Sequence, residues 1–214
     1  MRPYLLSGWL LLLACTLQAQ GAWKLEKERE GIQVYTRSVP GSTFREFKVT
    51  ATVEVSANNL VAVLKDVGSF RELFDRTTDA RLLKTSGETR QIHYAYTDGP
   101  WPVADRDGIY EYRYRYEAAD RSVVVDIQCL PEFLPAEPGV VRIEHCRGEW
   151  RFRSLAAERT EITYQFFADP GGNLPAWIVN WSTVDIPFQA IVKLREMAVR
   201  PAYRNHVYPF SPPY

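Results

Sequence analysis

Hydrophobic and polar residues alternate along most of the chain, and this alternation predicts β-strands. Over residues 44–55 every second position is apolar and falls on one face of an extended strand: Phe47, Val49, Ala51, Val53 and Val55. Similar segments separated by short turns predict further strands at 79–86, 89–97, 106–117, 121–129, 140–153 and 159–167. A helix over 58–65 and a short helical piece around 70–74 follow the first of these strands. Strands at this spacing, without helices between them, predict an antiparallel meander.

The hydrophobic period changes from two to three or four residues near the C-terminus. The apolar stripe there comprises Trp177, Trp181, Val184, Phe188, Ile191, Leu194 and Ala198. Asn173 is placed to cap the helix and Pro175 sits in its first turn, whereas Pro187 should kink it and Pro201 should end it. The pattern predicts one amphipathic helix from Leu174 to Arg200, which at about 40 Å could cross the face of a sheet.

Four tyrosines at alternate positions of the 106–117 strand project from one face: Tyr110, Tyr112, Tyr114 and Tyr116. A buried phenol needs a hydrogen-bond partner, so a row of phenols suits a wet or ligand-filled cavity better than a dry core. We therefore expect these rings to line a cavity between the sheet and the helix. Periodicity alone leaves open the alternative that they only fill the core.

The 140–153 segment changes phase, because Val141 and Ile143 are apolar at odd positions and Trp150 is apolar at an even one. Either a bulge near residues 146–148 shifts the strand, or Arg142 and Glu144 point inward as a buried pair. The sequence leaves both open.

The N-terminal segment has the pattern of a secretory signal. A cation at Arg2 precedes an apolar run from Tyr4 to Leu17, which is shorter than the roughly 20 residues that span a bilayer, and small residues follow it. We expect a signal peptide over 1–21, a single domain over 22–214, and a secreted or periplasmic protein. Alternatively, the Leu-Leu-Ala-Cys sequence ending at Cys15 resembles a bacterial lipobox, which would anchor the protein at a lipidated Cys15.

Charge and motifs exclude several classes of function. The 26 basic and 26 acidic residues balance and form no basic run, so nucleic acid is not an expected partner. The three histidines are far apart in sequence, so we predict no metal site, and no cofactor or catalytic fingerprint is present. We therefore predict no cofactor; the missing fingerprints weaken an enzymatic function without excluding it, and we predict no enzyme activity.

Two cysteines, Cys129 and Cys146, follow the signal segment. A hairpin turning near Pro135 would place Cys129 opposite residue 141, which separates the two thiols beyond the roughly 7 Å between Cα atoms that a disulfide tolerates. We therefore expect two free, partly buried thiols.

Several segments together resemble START domains over about residues 23–206. They are Trp-Pro-Val-Ala-Asp-Arg-Asp at 101–107, the tyrosine strand, residues 140–144, Gly-Glu-Trp at 148–150, and the stretch from Tyr164 to Trp177 with its Asp-Pro-Gly-Gly-Asn-Leu-Pro sequence, followed by Asn180. The resemblance implies an α+β helix-grip fold, in which a curved antiparallel sheet wraps around a long C-terminal helix and encloses a hydrophobic tunnel. It also implies that the tunnel binds one lipid or sterol for transfer, without bond chemistry.

The resemblance implies roles for particular residues. Arg71 and Asp75 match an arginine–aspartate pair that holds phospholipid headgroups, although an exposed helical pair is the simpler interpretation. With the tyrosine row and the helix, the expected ligand-binding residues are Arg71, Asp75, His93, Ala95, Tyr110, Tyr112, Tyr114, Cys146, Trp150, Trp177 and Trp181. Ala95, Cys146 and Gly148 are smaller than the residues of a choline cage, which argues against phosphocholine recognition. Arg106 and Asp107 are expected to be structural.

The tunnel must open for its ligand to leave. The expected lid comprises the C-terminal helix, the 97–104 loop and the 131–139 loop with Phe133 and Leu134, and its expected hinge is Gly171 and Gly172. The expected partners are a lipid or sterol-like ligand and, transiently, a membrane, with the protein a monomer. Two alternatives are an enzyme of polyketide-cyclase type using His93 with tyrosines, and a periplasmic sensor that binds without transfer.

Overall fold

The structure is a computed structural model that describes residues 21–171 and 174–211. Its ten strands are β1 (Lys24–Arg29), β2 (Ile32–Ser38), β3 (Arg45–Val53), β4 (Thr77–Ser86), β5 (Arg90–Thr97), β6 (Arg106–Glu117), β7 (Ser122–Cys129), β8 (Val141–Arg142), β9 (His145–Ala156) and β10 (Arg159–Asp169). They form one curved sheet in the order β1-β2-β3-β10-β9-β7-β6-β5-β4, antiparallel throughout except that the short β8 pairs with β6 in parallel.

The helices lie between β3 and β4 and at the C-terminal end: α1 (Ala57–Lys65), α2 (Phe70–Leu73), α3 (Ala176–Asn180) and α4 (Ile186–Ala198). The long C-terminal helical segment packs across the sheet, and the predicted α+β helix-grip architecture is confirmed. None of the helices in the described ranges is long and apolar enough to span a membrane.

The main core lies between the concave face of the sheet and the helices. The α1 helix starts at Ser56, whose side chain accepts a hydrogen bond from the backbone N–H of Asn59, and its Leu60 and Leu64 are fully buried. On the sheet, Trp150 stacks on Tyr164 with ring centroids 3.6 Å apart. Burial of such large rings and aliphatic side chains is the main source of stability.

The first hairpin, β1 and β2, was not predicted from the sequence. Its first strand is Lys-Leu-Glu-Lys-Glu-Arg, an edge strand with exposed or half-buried side chains, so it lacks a run of buried apolar residues. Charged side chains are typical of sheet edges, because they discourage pairing with other chains.

The C-terminal helix is not a single α-helix bent at Pro187. A π-helical turn over Trp181–Asp185 joins α3 to α4, and the N–H of Ile186 donates to the carbonyl of Trp181, five residues earlier. The hydroxyl of Thr183 donates to the Val179 carbonyl at 2.7 Å. The π-helical turn therefore lies just before Pro187. Proline has no backbone N–H, so it cannot donate the hydrogen bond that an α-helix requires at this position. The predicted cap, Asn173, lies outside the described residues.

The phase change in the 140–153 segment reflects two strands instead of a bulge. The chain leaves β8 at Arg142 and starts β9 at His145, and Glu144 between them is exposed. Arg142 pairs with Asp107 through Nε to Oδ1 at 2.7 Å and Nη2 to Oδ2 at 2.8 Å, on the outer face of β6. Neither sequence-based alternative is therefore correct.

The expectation of two free thiols is wrong: Cys129 and Cys146 form a disulfide, with Cα atoms 5.3 Å apart. The hairpin assumption failed because β8 leaves the turn to pair with β6. This detour shifts the register, so that Gln128 pairs with Arg147 and the cysteines become neighbours.

Replacing both cysteines with alanine should lower the free energy of unfolding by about 3 kcal/mol, because the disulfide spans a sequence separation of 17 residues. Urea unfolding of the oxidised protein and of the double variant measures this loss. Reduction of the unmodified protein should reproduce it, and equal stability of all three forms would contradict the prediction.

Candidate functional site: an apolar cavity beneath the C-terminal helix

A cavity of about 230 Å³ lies between the concave face of the sheet and the C-terminal helix. The sheet contributes the rings of His93, Tyr110, Tyr112, Tyr164 and Phe166. The helical side contributes Phe70 and Phe74 from the α2 region together with Ser182, Thr183, Ile186, Pro187 and Ala190 from the π-turn and α4. Most of these groups are aromatic or aliphatic, so the cavity suits an apolar ligand.

Charged groups occur at two positions of the described lining, Arg45 and Asp75. The Arg45 guanidinium donates to Glu26 Oε1 at 3.0 Å, so its charge is already partly compensated. Asp75 is exposed to solvent and makes no ion pair with any described residue. Neither residue therefore places an uncompensated charge deep in the cavity.

His93 is a strongly perturbed titratable group of the site. Its ring is packed edge-on against Phe70 and Tyr112, at centroid distances of 5.0 and 4.5 Å, and stacks against Tyr110 at 5.6 Å. Burial lowers the pKa of His93 to about 3, because the imidazolium would lose its hydration among these rings. The imidazole is therefore neutral at physiological pH.

The cavity tyrosines are protonated for the same reason. Burial raises the pKa of Tyr110, Tyr112 and Tyr164 well above the usual value for a phenol. Their phenols remain neutral hydrogen-bonding groups at physiological pH.

Two glycines make room for the rings. A Cβ atom at Gly108 would collide with the phenol of Tyr110, and one at Gly148 would collide with the ring of Phe166. Gly148 therefore matters to the cavity indirectly, since any side chain there would displace Phe166 from the wall.

The structure brings five of the sequence-predicted ligand-binding residues to the cavity: Asp75, His93, Ala95, Tyr110 and Tyr112. Asp75 lies after α2, which ends at Leu73, so it forms no helical pair with Arg71. Arg71 is exposed and does not belong to the described lining.

The other predicted residues lie elsewhere. The hydroxyl of Tyr114 donates to Gln91 Oε1 at 2.5 Å and lies 3.1 Å from the Leu64 carbonyl, so this tyrosine belongs to the core. Trp150 is fully buried against Tyr164, and Cys146 is held in the disulfide. Trp177 is exposed and Trp181 is half-buried, and neither belongs to the described lining.

The predicted 131–139 lid loop packs on the opposite side of the sheet from the cavity. Leu134 contacts a second apolar cluster formed by Ile92, Tyr94 and Ile109, which point away from His93 and Tyr110 on the same strands. Phe133 is exposed in this loop. Gly171 has a φ of +69° and lies against Val141, whereas Gly172 lies outside the described residues.

Sequence reasoning missed the lining residues contributed by the helices, among them Phe70, Phe74, Thr183, Ile186 and Pro187. Ser182 and Thr183 offered a signal, because they are hydroxyl residues between the apolar positions Trp181 and Val184 of the helical stripe. Their significance depended on the π-turn, which no periodicity predicts. In the described ranges, histidine, cysteine and acidic residues do not gather into groups of three or more that could hold a metal ion.

This fold and cavity define a helix-grip protein, and comparison with known sequences gives the family. The sequence pattern of the START domain matches residues 11–199, so the chain belongs to the START domain family. An uncharacterized protein of Pseudomonas aeruginosa is 31% identical over 176 residues, covering 82% of this chain and 86% of that protein. The bovine phosphatidylcholine transfer protein is 26% identical over 165 residues, covering 75% and 76% of the two chains.

A solved structure supports the same assignment. The STAR-related lipid transfer protein of Xanthomonas axonopodis is 36% identical, with a TM-score of 0.76, and the match covers 83% of this chain and 99% of that one. The START resemblance predicted from the sequence is thus confirmed.

Proposed function

We propose that this chain binds one hydrophobic ligand in the cavity beneath its C-terminal helix and carries it between membranes. The observation that carries this proposal is the partly enclosed, mostly apolar cavity on a START fold. Two relatives are named as lipid transfer proteins, which supports lipid binding and transfer as the general class. Each methylene removed from water contributes about 0.8 kcal/mol, so an acyl or ring system gains affinity in such a cavity without specific contacts.

The state of the titratable groups favours binding over acid–base catalysis. A general acid or base works best with a pKa near the working pH. Burial instead moves the pKa of His93 down to about 3 and the pKa values of Tyr110 and Tyr112 upward, so all three are poorly suited to proton transfer at neutral pH. This argues against the polyketide-cyclase alternative.

The C-terminal helical segment is the proposed lid. Its π-turn and the start of α4 form one wall of the cavity, and a cavity of about 230 Å³ is smaller than the roughly 300–1,000 Å³ of typical ligand pockets. A diacyl lipid would need this wall to move outward. Lys27 Nζ on β1 lies 2.8 Å from Asp185 Oδ1 at the end of the π-turn. Outward movement of the C-terminal helical segment would separate this ion pair.

Two exposed tryptophans suit transient membrane contact. Trp101 is 90% exposed in the loop before β6, and Trp177 is 53% exposed on α3. Indole rings partition to the membrane interface, where the apolar ring and the polar N–H are both accommodated. We place the membrane-facing surface at this loop and helix, instead of at the 131–139 loop.

Cross-linking the lid should stop transfer while leaving the bound ligand in place. In the chain without residues 1–21, cysteines introduced by Lys27→Cys and Asp185→Cys can be joined with a short bismaleimide, because the two native cysteines that remain, Cys129 and Cys146, are held in a disulfide. We expect ligand transfer between donor and acceptor vesicles to slow at least tenfold after cross-linking, since release requires the helix to move.

The double variant without cross-linker is the matched control and should transfer ligand at least as fast as the wild-type protein, because it lacks the Lys27–Asp185 contact that opening separates. An unchanged rate in the cross-linked protein would contradict the role of the helix as a lid. A wild-type protein that retains ligand but never exchanges it would instead support the sensor alternative.

We also propose that the mature protein works outside the cytoplasm. The disulfide supports this, because disulfides persist mainly in oxidising compartments. The signal segment and Cys15 lie outside the described residues, so cleavage at the end of the signal or lipidation of Cys15 stays a prediction.

A further inference from the structure

The cavity wall contains a buried ring nitrogen that the protein leaves unpaired. His93 is 2% exposed, and its Nδ1 has no hydrogen-bond partner within the described residues. Buried polar atoms are almost always paired, because an unpaired one loses its hydration without compensation. Side-chain atoms of Ser122, Trp150 and Ser154 are also buried without a partner in the described residues, but His93 is the one of these four residues that lines the cavity, where a ligand can supply the missing partner.

The neighbours of His93 hold the ring in a fixed orientation without supplying charge. Phe70, Tyr110 and Tyr112 pack against it with centroid distances of 4.5–5.6 Å. All three are uncharged, and burial keeps the pKa values of the two phenols far above neutral pH. This part of the wall offers hydrogen bonds but no counter-ion.

A phosphate-bearing headgroup fits such surroundings poorly. A phosphate needs arginine, lysine or several N–H donors. The charged lining residues in the described chain are Arg45, which pairs with Glu26, and Asp75, which is exposed at the rim. A phosphate beside His93 would therefore be desolvated without compensation.

We propose that His93, Tyr110 and Tyr112 form a recognition site for an uncharged hydroxyl, and that the ligand is a neutral hydrophobic alcohol instead of a zwitterionic phospholipid. A neutral imidazole has one nitrogen that donates and one that accepts, and a hydroxyl can do both, so it can pair with either tautomer. The inference deepens the proposed function and rests on it, since a ligand must first occupy the cavity.

Three probes with the same alkyl chain test the inference: 1-decanol, 1-chlorodecane and decylphosphocholine. Their dissociation constants are measured by displacement of a neutral polarity-sensitive dye from the delipidated protein. We expect His93→Phe to weaken the binding of 1-decanol about five- to tenfold, because one hydrogen bond is lost. The binding of 1-chlorodecane, which cannot donate a hydrogen bond, should not change. Decylphosphocholine should bind the wild-type protein at least tenfold more weakly than 1-decanol.

Two further variants separate recognition from packing. His93→Asn keeps a hydrogen-bonding group near the position of Nδ1 and should retain part of the preference for 1-decanol. His145→Phe makes the same chemical change at an exposed position at the start of β9 and should alter none of the three constants.

Three results would overturn the inference. If His93→Phe weakens the binding of 1-decanol and of 1-chlorodecane equally, the imidazole acts only by packing. If His93→Phe does not weaken the binding of 1-decanol at all, the imidazole has no role in recognition. If decylphosphocholine binds more tightly than 1-decanol, the claim that the site recognises an uncharged headgroup is refuted. If neither 1-decanol nor 1-chlorodecane displaces the dye from the wild-type protein, the proposed function fails as well.

Discussion

Replacing Ala190 with tryptophan should abolish ligand binding, with a loss of at least a hundredfold in affinity. Ala190 is almost fully buried on α4 and faces the cavity, so an indole at this position would occupy much of the space of about 230 Å³. A ligand and the indole would then compete for the same volume, because the side chains of a close-packed protein interior rearrange little to make room for both. Dye displacement measures the binding, and thermal unfolding shows whether the variant is folded.

The matched control is Ala202→Trp, the same substitution at an exposed position beyond α4. It should leave binding unchanged. Overpacking costs about 1–3 kcal/mol, so Ala190→Leu provides a milder second variant with an intermediate loss of affinity. Full binding by folded Ala190→Trp would show that the ligand lies elsewhere.

Replacing Asp107 with alanine should lower the free energy of unfolding by about 3–5 kcal/mol, because it leaves a buried guanidinium without its counter-ion. The side chains of Asp107 and Arg142 are 1% and 8% exposed, and two hydrogen bonds join them. Arg142 also donates to the carbonyls of Pro131, Leu134 and Pro135, so the pair fixes the 131–139 loop to the outer face of β6.

Glu161→Ala is the matched control for this prediction. Glu161 also makes two hydrogen bonds to an arginine on a neighbouring strand, Arg153, but each side chain is 40% exposed. Solvent-exposed ion pairs contribute about 0–1 kcal/mol, so this variant should lose little stability. Urea unfolding of both variants measures the difference, and similar losses would contradict the role assigned to burial.

Local patterns in the sequence predicted the elements well where one face is buried. The strand at 106–117 and the helix α1 correspond closely to the observed β6 and α1, because alternation and helical spacing follow directly from one-sided burial. The first hairpin lacked this signal, since β1 is an exposed edge strand. The resemblance to START domains supplied the order of the layers, which periodicity does not determine.

The candidate site was predicted only in part, because its position along each strand depends on the curvature of the sheet. Tyr110, Tyr112 and Tyr114 share a face, yet only the first two reach the cavity, and Tyr114 hydrogen-bonds within the core. The disulfide was missed for a related reason. The detour of β8 to β6 sets the register of Cys146, and this parallel pairing leaves no periodic trace in the sequence.

The central claim is that the cavity holds one hydrophobic ligand, and native mass spectrometry tests it most directly. The mature protein is purified without detergent, and its intact mass is compared under native and denaturing conditions. We expect one ligand of defined mass per chain in the wild-type protein and in Ala202→Trp, and none in Ala190→Trp. A wild-type protein without ligand, or an equal ligand content in folded Ala190→Trp, would contradict the account.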